Sequence, residues 1–178
     1  IMDLVDDDTE LFFGTTSGVA GGGQHYLGCW SFIFNAALDL GREDLSTTEA
    51  IHQHVNSILE TINAPPLEVA KDWVSLAPLL NSILPLEYNE NATTASIPPQ
   101  SRADILQILL LRILQTVVTP GSIIVLEDVH QFDSASWTFT LSAAQQLKGV
   151  LLILSMRPLK PTPFAYQQLL HCEHAHQS

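Results

Sequence analysis

The chain has 178 residues, 46% hydrophobic and 15% charged, with 7 Lys and Arg against 19 Asp and Glu for a net charge of -12. That length suits one domain with a sizeable core, and so apolar a composition predicts surface that meets neighbouring segments. With so few cations and no basic stripe, the chain is excluded from nucleic-acid binding, which needs clustered positive charge.

Cys29 and Cys172 lie far apart and form no disulfide framework, which suits a reducing cytosol and predicts a cytoplasmic protein. The acidic start lacks the cationic and apolar regions of a secretory signal. Its longest apolar segment, Ile105 to Val118, is interrupted by Gln107, Arg112, Gln115 and Thr116 and is shorter than a membrane span. The Asn91-Ala92-Thr93 sequon would then go unused.

In chain order, Leu11 to Thr15 is predicted as a strand, followed by a glycine loop, Gly18 to Gly23, and a helix from about Tyr26 to Leu40. Trp30, Ile33, Phe34 and Ala37 fall on one face of that helix, and they read as core rather than as an adenine-stacking platform. Ser46 and Glu49 make a capping box ahead of an amphipathic helix carrying Ile51, Val55, Ile58, Leu59 and Ile62, which Pro65 and Pro66 stop. Leu67 to Leu84 is predicted helical with a break at Pro78, and Glu87 to Gln100 a polar loop. Ser101 with Asp104 opens the next helix, whose leucines and isoleucines cover nearly its whole circumference, as expected of a helix buried between the sheet and another layer.

After the Thr119-Pro120-Gly121 turn, Ile123 to Leu126 reads as a buried parallel strand running straight into Glu127 and Asp128. The acids then fall at the carboxyl edge of a sheet, where open α/β folds bind ligands. Adjacent carboxylates there have a use in phosphoryl transfer: one holds magnesium through water, the other orients the attacking water. Asp133 or Ser134 caps a helix that closes near Gly149, and Val150 to Ser155 is a second buried strand ending in Met156, Arg157 and Pro158. An arginine at that place could reach a terminal phosphate. Leu159 to Pro163 reads as a loop and the tail from His171 as frayed.

The series Leu79 to Tyr88, Ser101 to Gln115, Ile123 to Trp137 (IIVLEDVHQFDSASW) and Leu151 to Pro158 (LLILSMRP) resembles the AAA-like ATPase domain of the signal-transduction (STAND) class, in the branch behind the cyclase domains of the soluble adenylyl cyclase (adenylate cyclase type 10) family. The resemblance covers about Leu11 to Pro158. It implies a three-layer α/β fold of the P-loop NTPase kind, with a parallel sheet flanked by helices, and ATP and magnesium as cofactors. It also implies that Glu127 and Asp128 serve metal and water and that Arg157 senses the γ-phosphate.

Two departures qualify the match. The family's domain begins with a glycine-rich phosphate loop ending in Lys-Ser or Lys-Thr, and none occurs here; Gly18 to Gly23 has no lysine and follows the Leu11 strand instead of preceding it. Residues 1–178 are therefore expected to be an N-terminally truncated domain holding the Walker B and sensor half, with the phosphate loop upstream of Ile1 and neighbouring domains as partners. The second departure is Gln131, where the family usually has an aromatic after the histidine.

Three functions compete. The chain belongs to a regulatory ATPase whose nucleotide state controls an output domain, by resemblance a cyclase making cyclic AMP; or it is a degenerate scaffold; or it is an unrelated α/β hydrolase or metal enzyme. The third lacks a nucleophile, since Ser134 and Ser136 sit at a helix start and not in a G-x-S-x-G elbow. A metal site fares no better, because the histidine tail fits no closed zinc spacing, and His52 and His54, two apart on a helix, diverge.

Overall fold

The computed structural model describes residues 9–15, 27–158 and 163–172. The chain divides into two compact units, Ile1–Ile33 with Val118–Ser178, and Phe34–Val117. The glycine loop at Gly18 to Gly23 and the tail beyond Cys172 lie outside the described residues.

The first unit is built on a parallel sheet in the order β1 (Leu11–Thr15), β2 (Ile123–Glu127), β3 (Leu151–Leu154). Leu11 pairs with Ile123, and Ile123 in turn with Leu151, so the three strands start level. Two glycines at positive φ, Gly121 (98°) and Gly149 (71°), set that start, and the Gly121 N–H donates to the Gly149 carbonyl at 2.6 Å. The strand-helix-strand unit runs from β2 through α5 (Ser134–Gln146) to β3, the α/β organisation that the sequence predicts.

Side chains alternate along strands, so each strand offers two faces. On one, Phe12, Ile124 and Leu126 are buried. Gly14 shares it, because a Cβ there would meet the Cys29 carbonyl at 2.6 Å; only glycine lets α1 (Gly28–Ala37) come this close. Trp30 of α1 packs edge-on against Phe139 of α5, with ring centroids 4.8 Å apart. Trp30, Ile33 and Phe34 are fully buried, so this stripe is core as expected. On the other face Leu11, Phe13, Leu151 and Ile153 are 50%, 55%, 56% and 43% exposed. The prediction that β2 and β3 are buried strands therefore holds only for Ile124 and Leu126 of β2: Ile123 and Val125 are half-buried, and β3 has no buried residue, Leu152 and Leu154 being half-buried.

A helix that the polar tail concealed, α6 (Phe164–Leu170), packs on α5, with Trp137 and Tyr166 rings 5.5 Å apart. No helix among the described residues is long and apolar enough to cross a membrane.

In the second unit, α2 (Thr48–Glu60) buries Val55 and Leu59 as its periodicity predicts. Its cap is Thr47, whose hydroxyl accepts from the Ala50 N–H at 3.2 Å, and not Ser46. Residues 67–73 are not helical; a 3-10 helix over Val74–Ser82 contains Pro78. The expected loop after Glu87 contains α3 (Ala92–Ser96), nucleated by a capping box between Asn91 and Thr94. Then α4 (Pro99–Val117) starts two residues before Ser101 and packs on α2 and the 3-10 helix. It is not buried all round, since Asp104, Ile108 and Gln115 are exposed. His52 and His54 point apart, their Nε2 atoms meeting the carbonyls of Leu86 and Leu38.

Candidate functional site

Apolar side chains hold β2 in the sheet up to Leu126, and the chain then turns sharply. Glu127 pairs in register with Thr15 of β1 and is exposed. Asp128 adopts the left-handed conformation, φ 54° and ψ 33°. A non-glycine residue in that region is uncommon and concentrates at turns and functional sites. A one-turn 3-10 helix, Val129–Gln131, follows, closed by the Gln131 N–H donating to the Asp128 carbonyl at 2.9 Å.

Pairing between β2 and its neighbour continues beyond the formal end of β3. The Ser155 N–H donates to the Leu126 carbonyl at 2.9 Å, and the Val129 N–H to the Ser155 carbonyl at 3.0 Å. Asp128 and Arg157 therefore leave the sheet from adjacent parallel strands at the same, carboxyl end. Arg157 is exposed, and among the described residues no ion pair joins it to either acid. The three residues singled out in the sequence share one edge, without direct contact between the guanidinium and the carboxylates.

Two helix starts frame this edge. Asp133 caps α5, its Oδ1 accepting from the Ser136 N–H at 2.6 Å, which decides between the two predicted caps. Its Oδ2 accepts from the Leu27 N–H at 3.3 Å, at the start of α1. Leu27 itself has a φ of 52°. Cys29, in the first turn of α1, lies close enough to the acids to feel them. Burial pushes its thiol up from 9.0 to about 12; a hydrogen bond with the Glu127 backbone opposes this, and the charges of Glu127 and Asp128 add to it. At neutral pH Cys29 is an inert thiol.

His130 is a site residue to which the sequence assigns no role. Its Nδ1 is buried with no hydrogen-bond partner, 3.9 Å from Asp128 Oδ1. The only sequence signal was its place two residues after the acid pair.

Among the described residues no group of three or more His, Cys, Asp or Glu could hold a metal. Glu127 and Asp128 could supply two hard oxygen donors, with an orphaned imidazole nitrogen beside one of them. That donor set fits magnesium, which takes one or two carboxylates and fills its remaining positions with water and phosphate oxygens. It does not fit a closed zinc centre. In comparisons with known proteins, the chain matches no family model, no curated protein and no solved structure.

Proposed function

We propose that this chain is the Walker B and sensor half of a P-loop-type regulatory ATPase domain that binds ATP with magnesium and hydrolyses it slowly. The observation that carries this reading is the exit of Glu127 and Asp128 from β2, and of Arg157 beyond β3, at the carboxyl end of two adjacent parallel strands, the ligand-binding edge of open α/β sheets. Bound there, magnesium would offset charge on the phosphate oxygens. Glu127 and Asp128 hold the cation and orient the attacking water, and the exposed Arg157 reaches the terminal phosphate. The cysteine usage suits a cytoplasmic protein, and by the resemblance in the sequence its nucleotide state controls a cyclase output.

The test is Asp128→Asn in the full-length gene product, with binding of a fluorescent ATP analogue and release of phosphate both measured. Binding persists and hydrolysis is lost. A variant hydrolysing at the wild-type rate, or micromolar ATP affinity in residues 1–178 alone, defeats the reading.

One observation favours a second reading, a degenerate scaffold: the open apolar face formed by Leu11, Phe13, Leu151 and Ile153 is a feature of interaction surfaces. Absence of both nucleotide binding and hydrolysis in the full-length wild type would favour it.

A further inference from the structure

The geometry points to His130 as the positioning residue that holds the Asp128 carboxylate for a cation, an inference that rests on the proposed nucleotide site. Buried polar atoms are almost always hydrogen-bonded, and an orphan in a native structure calls for an explanation. His130 Nδ1 is such an orphan, in a side chain 18% exposed.

Nothing about its backbone is loose. Val129 is buried and its N–H is tied to Ser155; the Gln131 N–H is tied to Asp128; the Phe132 N–H donates to the Val129 carbonyl at 3.1 Å. The left-handed turn at Asp128 brings side chains two residues apart to the same side, leaving Nδ1 3.9 Å from Oδ1. A hydrogen bond needs about 2.7–3.2 Å. A change of side-chain rotamer is the movement that would close that gap, and the Asp128 side chain is 38% exposed.

The bond is made when Asp128 turns toward its ligand. The imidazole Nδ1–H donates to Oδ1, which fixes the carboxylate plane and leaves Oδ2 for the cation. Partners that orient a metal-binding carboxylate typically alter metal affinity 10–100-fold when removed. His130 does not touch the cation or the nucleotide.

The experiment measures Mn2+ bound with ATP to the full-length gene product by electron paramagnetic resonance, for wild type, Asp128→Asn, His130→Leu, His130→Asn and His130→Gln. Asparagine places an amide N–H near the position of Nδ1, whereas glutamine places it near Nε2, so only asparagine can make the bond. The expected result is Mn2+ affinity lowered about 10–100-fold by His130→Leu and His130→Gln and largely restored by His130→Asn, with asparagine and glutamine equal in thermal stability. If His130→Leu does not fold, the asparagine and glutamine pair decides alone. Equal affinities for that pair, or wild-type affinity in His130→Leu, overturn the positioning role while leaving the site reading intact. Asp128→Asn that binds Mn2+ as tightly as wild type likewise overturns the positioning role, and wild type that binds no Mn2+ with ATP brings down the site reading and this inference with it.

Discussion

The Asp133 carboxylate serves two helices at once: Oδ1 accepts from Ser136 at the start of α5 and Oδ2 from Leu27 at the start of α1. An N-cap alone is worth about 0.5–2 kcal/mol. Here the same side chain also anchors a leucine at positive φ, a conformation that needs external support. Asp133→Ala is therefore expected to lower stability by about 2 kcal/mol or more. Asp133→Asn, which keeps one acceptor oxygen, falls between it and wild type. Urea unfolding of residues 1–178 reads both, and an alanine variant as stable as wild type would remove the link between the two helix starts.

Gly14 is a point of close approach between α1 and the sheet. A methyl group there would lie 2.6 Å from the Cys29 carbonyl, 3.0 Å from its Sγ and 3.1 Å from Ile33 Cδ1. The first contact is with backbone, so rotamer changes cannot relieve it. Gly14→Ala is expected to destabilise by about 1–3 kcal/mol, the range for overpacking a core. The measurement is the denaturation midpoint; an unchanged midpoint would mean that α1 does not rest on β1 as described.

Thr140 shows how a buried polar group fixes the pairing of α1 and α5. Its hydroxyl accepts from Trp30 Nε1 at 3.0 Å and donates to the Ser136 carbonyl at 2.7 Å, and both residues are fully buried. Thr140→Val keeps the shape and removes the acceptor from a buried indole N–H, which costs about 1–3 kcal/mol. Thr140→Ser keeps the hydroxyl and loses one methyl group, which costs about 1 kcal/mol. Valine is thus expected to be the worse replacement by thermal denaturation, although it is the better match in volume. The reverse order would show that packing, and not the hydrogen bond, joins these helices.

The sequence was most legible where local chemistry and burial agree. The apolar run of β2 stops at Glu127 because a charge there must reach solvent, and the cap of α5 is Asp133, one of the two residues that the sequence offers. At α2, Ser46 and Thr47 are adjacent hydroxyls, and only the three-dimensional path of the chain selects Thr47. Pro78 was expected to break a helix, yet it sits within a 3-10 segment. The box at Asn91 and Thr94 was visible in principle but was masked by the polarity around it. At the site, the shared edge of Glu127, Asp128 and Arg157 followed from strand ends. The approach of His130 to Asp128 did not, because it depends on a left-handed aspartate that no periodicity reveals.

Cys29 gives a prediction with a definite sign in pH. Its thiol would ionise near 9.0 when unfolded but only near 12 when folded, chiefly because burial disfavours the thiolate. Between those values the unfolded chain has released a proton that the folded chain retains, so rising pH favours unfolding. The slope is about 1.4 kcal/mol per pH unit for one group. Other groups titrate in the same range, so the quantity to measure is the stability of wild type minus that of Cys29→Ala. This difference is expected to stay flat below the unfolded value and to decline from about 9 to about 12. A thiol reagent at pH 8 supplies the independent check: Cys172, only partly buried, should react readily and Cys29 only through unfolding. Equal labelling rates for the two would place Cys29 in contact with solvent and remove the start of α1 from beneath the acid pair.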